Sequence, residues 1–148
     1  MREITKIIIH CAATPPSMDI GASEIKDWHT NPKLKKKPYN DIGYHYVIRR
    51  SGELEKGRDI AIAGAHAFRY NFNSIGVCLV GGVDEENKPN DNYTLNQYNT
   101  LIELIKFLKL TFPIDDVLGH RDLEGVNKAC PCFDVRAWYE FETTRYKV

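Results

Sequence analysis

Apolar positions along this chain follow two periods, and the switches between them mark the elements. Residues 4–10 carry a run dominated by β-branched side chains, and polar spacing is lost after Lys6. That run predicts a buried strand that closes on His10. Residues 22–30 predict a short helix with Ile25, Trp28 and His29 on one face. Residues 44–49 alternate as a strand, and Arg50-Ser51-Gly52 predicts a hairpin turn into residues 53–56. Residues 74–80 form a second strongly apolar strand, ended by Gly81-Gly82. Residues 84–92 are polar, include Pro89 and predict an exposed loop.

The clearest helix starts after Thr94. Its hydroxyl can cap the helix, and Gln97 three residues later completes a capping box. Leu95, Tyr98, Leu101, Ile102, Ile105, Leu108 and Phe112 recur at helical spacing and predict a core stripe, which Pro113 stops. A short strand at Val117-Leu118 precedes His120, and residues 134–141 predict a last helix. No repeat, low-complexity tract or linker interrupts the pattern. A single α/β or α+β domain over residues 1–148 is the expectation, since this length supports one substantial core.

Composition narrows the function classes. Lys+Arg and Asp+Glu number 20 each, so the formal net charge is zero and nucleic acid is not expected as a partner. Residues 33–37, Lys33-Leu34-Lys35-Lys36-Lys37 between Pro32 and Pro38, read as a solvated loop or as a contact for an anionic partner. The apolar run after Met1-Arg2-Glu3 is too short for a leader peptide, which gives an expectation of cytoplasmic synthesis. No segment approaches a membrane span. Without a leader, Cys11, Cys78, Cys130 and Cys132 are expected to be reduced thiols.

The candidate chemistry centres on Asn127-Lys128-Ala129-Cys130-Pro131-Cys132, downstream of Leu118-Gly119-His120. A thiolate and an imidazole across a short loop are plausible zinc ligands, and an open catalytic site needs a third. His10 is the best candidate, although a histidine closing an apolar strand also reads as a hydrogen-bonded core residue. Its neighbour Cys11 points to the opposite face and reads as packing. Cys130 and Cys132 are hard to separate by spacing, though Pro131 restricts their joint ligation. Zinc signatures of the His-Glu-x-x-His and deaminase kinds are absent. So are a Gly-x-Ser-x-Gly elbow and evident paired carboxylates. Tyr44 and Tyr46 are expected to share a strand face with His45 on the other. His66, among Gly64-Ala65-His66-Ala67, has little bulk around it and suits a pocket or surface. His29 reads as an interface or surface residue.

In order along the chain stand Ile7-Ile8-Ile9-His10-Cys11, Asp41-Ile42-Gly43-Tyr44-His45-Tyr46, Gly57-Arg58-Asp59 and Gly64-Ala65-His66-Ala67. Asn73-Ser74-Ile75-Gly76-Val77-Cys78-Leu79-Val80-Gly81-Gly82 and Lys128-Ala129-Cys130-Pro131 follow. This succession resembles the zinc-dependent N-acetylmuramoyl-L-alanine amidases, most nearly the phage lysozymes of amidase type. Animal peptidoglycan recognition proteins belong to the same superfamily, and the similarity runs from about His10 to Trp138. The resemblance implies a central mixed β-sheet flanked by helices, with one zinc in a surface groove. It implies His10, His120 and Cys130 as zinc ligands, Tyr44 and Lys128 as catalytic residues, and His45 and His66 at positions that meet substrate. Cys132 falls where the family places no ligand and is left a free thiol.

The implied activity is hydrolysis of the amide between N-acetylmuramic acid and L-alanine in peptidoglycan. The expected state is a monomer without stable membrane association, reaching the cell wall after phage-type release. The alternative on the same fold is a muropeptide-binding module without catalysis, or a protein that regulates a partner. Non-catalytic members typically lack the cysteine ligand, and Cys130 is present here with both histidines.

Overall fold

The structure, a computed structural model, describes residues 2–145. Its strands are β1 (Lys6–Cys11), β2 (Tyr46–Ile48), β3 (Leu54–Lys56), β4 (Ser74–Leu79) and β5 (Asp116–Gly119). They form one sheet in the order β3-β2-β4-β1-β5. β2, β4, β1 and β5 run parallel, and β3 closes one edge antiparallel to β2. The helices are α1 (Ala22–Thr30), α2 (Leu95–Thr111) and α3 (Val135–Thr144). The expected mixed sheet flanked by helices is present. Among the described residues no helix is long and apolar enough to cross a membrane.

β1 lies between β4 and β5, and both of its faces are covered, so its apolar run is continuous rather than alternating. Ile7, Ile8 and Ile9 are all 0% exposed. Burying each such side chain stabilises by about 1.5–3 kcal/mol, so burial fixes this strand. Alternation sends Ile7, Ile9 and Cys11 to one face, where they pack with β4, with Leu101, Leu104, Ile105 and Leu108 of α2, and with Val135 of α3. Ile8 points the other way and packs with Leu118, Leu123 and Ala67. On that same face Val47, Cys78 and Val80 meet Ile25 of α1 and Ile42. His10 belongs to this second face, at the carboxyl end of β1.

Two expectations fail for local reasons. Leu95 is 74% exposed, not part of the core stripe. The buried stripe of α2 runs Gln97, Leu101, Ile102, Leu104, Ile105 and Leu108, and Leu95 lies two residues, about 200° of helical turn, from Gln97. Tyr44 and Tyr46 do not share a face: Tyr44 packs with the Ile25–Ile42 cluster, and Tyr46 with the α2 side. The pleat starts only at Tyr46, because the His45 ring enters the ladder. His45 N–H donates to the Gly76 carbonyl (2.9 Å), while its Nδ1 accepts from Gly76 N–H (3.0 Å). A side-chain nitrogen thus stands where a backbone carbonyl would.

Candidate metal centre

Ligands in open parallel sheets collect beyond the carboxyl ends of the strands, and three separate segments converge there. His10 comes from the end of β1 and is 2% exposed. His120 opens a single 3₁₀ turn directly after β5, pinned where Gly119 N–H donates to Asp122 Oδ2 (2.8 Å). Cys130 sits on a loop held at three points. Arg121 N–H donates to the Cys130 carbonyl (2.8 Å), Cys132 N–H to the Ala129 carbonyl (2.6 Å), and the Tyr93 hydroxyl to the Pro131 carbonyl (2.7 Å). The Cys130–Pro131 peptide is cis. One ligand atom from each of His10, His120 and Cys130 lies within 4.8 Å of the other two.

The donor set suits a soft divalent cation. Burial, followed by the neighbouring His66, His120 and Lys128, holds His10 well below the ordinary imidazole value. His120 is lowered by burial and then by Lys128. Both rings are therefore neutral near pH 7, as metal ligation requires. Cys11 N–H donates to Cys130 Sγ (3.2 Å), which fixes where that sulfur stands beside the two rings. Two imidazoles and one thiolate leave a tetrahedral cation one open position.

The remaining predicted residues take distinct places. The Tyr44 ring lies 5.1 Å from His10 between centroids, and its phenol is raised well above its usual range, mainly by burial. It stays protonated and can donate. Lys128 is exposed on the loop before Cys130. His45 is 1% exposed, with Nδ1 bound to Gly76 N–H and Nε2 2.8 Å from the Ile62 carbonyl. His66 is half-buried, its Nδ1 2.8 Å from His10 Nε2 and its Nε2 3.3 Å from Ser74 Oγ. Neither ring leaves a nitrogen free for substrate. Cys132 is pushed up to about 11 by burial and then by Cys11, and remains a thiol.

Several residues that support the site carry little sequence signal. The Arg58 guanidinium donates to the carbonyls of Ile42 (2.8 Å), Ala63 (2.9 Å) and Asp41 (3.1 Å), clamping the loops around Tyr44. His29 Nδ1 accepts from Gly43 N–H (2.9 Å), and its ring centroid lies 5.4 Å from that of Tyr44. His29 thus fixes the approach to Tyr44. Arg58 stood inside a recognisable motif, but its three carbonyl partners are spread through a loop that no periodicity describes.

Similarity to known proteins agrees with this geometry. The family description "N-acetylmuramoyl-L-alanine amidase" matches residues 1–133. The endolysin of Klebsiella phage KP32 is 41% identical over 139 residues, covering 94% of this chain and 87% of that protein. The endolysin of Escherichia phage T7 is 42% identical over 134 residues, covering 90% and 84%. Among solved structures, the N-acetylmuramoyl-L-alanine amidase LysC from Clostridium intestinale URNW superposes with a TM-score of 0.75 at 25% identity, covering 99% of this chain and 85% of that one. The bumblebee peptidoglycan recognition protein PGRP-SA shares the fold, with a TM-score of 0.73 at 21% identity, covering 95% and 82%. Two imidazoles and a cysteine sulfur brought to one point, in a chain matched over nine-tenths of its length, leave one assignment: this protein belongs to the N-acetylmuramoyl-L-alanine amidase family.

Proposed function

We propose that this protein is a zinc-dependent amidase that cleaves the lactyl amide joining N-acetylmuramic acid to L-alanine in peptidoglycan, in the manner of a phage endolysin. The observation that carries the reading is the convergence of His10, His120 and Cys130 within 4.8 Å beside Tyr44 and Lys128. A muropeptide-binding module would need a recognition surface but not a complete ligand set. The completeness of that set favours catalysis over binding alone.

His10, His120 and Cys130 would hold the ion. Zinc, when bound, supplies Lewis acidity toward the scissile carbonyl and toward water. The chain's own groups do the rest. Tyr44, kept protonated by burial, donates a hydrogen bond to an oxygen at the reacting centre and can pass a proton there. Lys128 places a positive charge where the amide oxygen becomes negative, an interaction worth more in the transition state than in the ground state. The Cys11 N–H, donating to Cys130 Sγ, holds that side chain in place.

The test combines metal content with product chemistry. Purified protein is titrated with chelator and then zinc against isolated sacculi, and the products are read by mass spectrometry. Activity that falls with chelator, returns with zinc and releases L-alanine amino termini is expected. Cys130→Ala and His120→Ala should lose zinc and activity together. Full activity in metal-free Cys130→Ala, or cleavage of a sugar bond, would sink the assignment.

A further inference from the structure

The His66 ring is poorly explained as a surface residue or a substrate contact, because everything around it has been shaped to hold it. It stacks on the backbone of β4: a Cβ added at Gly76 would lie 2.6 Å from His66 Cγ. A Cβ at Gly64 would come 2.7 Å from His66 Cδ2. Only glycine fits at either place without moving the ring, since no real Cβ tolerates that approach. The His66 backbone is equally fixed. Asn71 Oδ1 accepts from both His66 N–H (2.9 Å) and Ala67 N–H (2.8 Å). Arg2 donates to the Ser74 carbonyl (2.8 Å) and the Asn71 carbonyl (3.3 Å), tying the loop to β4.

Counting protons along the chain of contacts sets the direction of each bond. The Ser74 hydroxyl has one proton, and the Tyr70 carbonyl at 2.6 Å can only accept, so the proton goes there. Ser74 Oγ is left with lone pairs, and His66 Nε2 at 3.3 Å must donate to it. A neutral imidazole carries one N–H, so His66 Nδ1 is bare and accepts from His10 Nε2–H at 2.8 Å. His10 then has a single free lone pair, on Nδ1. Partners on the second nitrogen of a ligating histidine fix its tautomer and ring orientation and raise its basicity.

We infer that His66, backed by Ser74 and the Tyr70 carbonyl, is a positioning residue that locks His10 in the Nε2–H tautomer and thereby sets the metal affinity of the site. This rests on the zinc reading above. The role replaces substrate contact for His66, and it explains why Gly64 and Gly76 flank the ring. Asn71 and Arg2 serve the same end by holding the loop that carries it.

The test measures zinc affinity by chelator competition at fixed pH for wild type, His66→Ala, His66→Asn and His66→Gln. Asparagine places an oxygen near the Nδ1 position, whereas glutamine reaches only the Nε2 position. His66→Ala and His66→Gln should bind zinc roughly 10- to 100-fold more weakly, the usual effect of losing such a partner. His66→Asn should stay within about threefold of wild type, because it keeps an acceptor for His10. The visible absorption of the cobalt-substituted protein should shift in His66→Ala and return toward wild type in His66→Asn. Wild-type zinc affinity in His66→Ala overturns the inference, and so does an increase in KM alone, which would mark a substrate contact.

Should His66→Ala fail to fold, nitrogen-15 NMR of the metal-free wild-type protein decides. His10 as the Nε2–H tautomer is expected, and the Nδ1–H tautomer overturns the inference. A wild-type protein that binds no zinc would instead defeat the functional proposal, so the two failures are distinguishable.

Discussion

At the scale of single residues, the site separates side chains that hold charge from those that hold geometry. Lys128 belongs to the first group. It is exposed, yet its charge is near enough to help keep His10 and His120 below their ordinary values, after burial in each case. A cation in that place opposes protonation of the two rings and would favour negative charge on a reacting oxygen. Removing it should therefore affect turnover more than ligation. Lys128→Ala is expected to retain zinc stoichiometrically and to lower kcat by about 10²- to 10³-fold, the scale of deleting one oxyanion-stabilising group. Steady-state kinetics on a soluble muropeptide, with zinc content measured on the same sample, checks this. A rise confined to KM would make Lys128 a binding residue. His10 shows how far one residue can be read from sequence. Its position at the end of the isoleucine run is visible, but what favours a ligand over a core histidine is the arrival of His120 and Cys130 from more than a hundred residues away.

At the scale of elements, α2 shows how a local motif can hide a tertiary one. Thr94 and Gln97 form the expected capping box: Gln97 N–H donates to Thr94 Oγ1 (3.1 Å), and Thr94 N–H to Gln97 Oε1 (3.0 Å). The Gln97 side chain also does something the pattern did not announce. It is 0% exposed, and its Nε2 donates to the carbonyls of Val80 (2.8 Å) and Ile48 (3.2 Å), while Arg50 donates to its Oε1 (3.2 Å). One amide thus staples α2 to the ends of β2 and β4. Thr94→Ala loses the cap and the hydroxyl's bond to the Arg50 carbonyl (2.8 Å), and should cost about 1–2 kcal/mol. Gln97→Ala removes the amide's bonds to two carbonyls and to Arg50 and leaves a gap at a fully buried position, and should cost about 3 kcal/mol. Urea unfolding of both variants checks the order, and equal losses would reduce Gln97 to a cap. The elements themselves were legible: the isoleucine run gave β1, the 74–80 run gave β4, and the capping box gave the start of α2. Their missed details share a cause. Leu95 and the face of Tyr44 depend on which polar side chains, Gln97 and His45, enter the sheet in place of apolar or backbone groups, and periodicity does not register such substitutions.

At the scale of the whole molecule, the three candidate ligands divide unequally between rigid and tethered structure. His10 lies in an interior strand, β1, between β4 and β5, with the α2 core on the opposite face. His120 and Cys130 bracket a segment that holds few core side chains, Leu123 among them, and is fixed by polar contacts at Gly119, Arg121 and Pro131. An ion bound by all three would tie that segment to β1 and would bind the native state only. Such binding stabilises by about 4 kcal/mol when free metal is a thousand times its Kd. For a chain of this size each kcal/mol moves Tm by about 2–4 °C, so stripping the metal should lower Tm by roughly 10 °C. Cys130→Ala should melt near the stripped wild type and ignore chelator. Hydrogen exchange should locate the loss: amides between residues 119 and 132 exchange faster without metal, while those of β1, β4 and α2 keep their protection, because the α2 core lies on the opposite face of the sheet. A Tm unmoved by chelator would mean that the ion plays no part in holding the fold. Uniform loss of protection would mean that the metal holds the whole domain, not the one segment that carries two of its ligands.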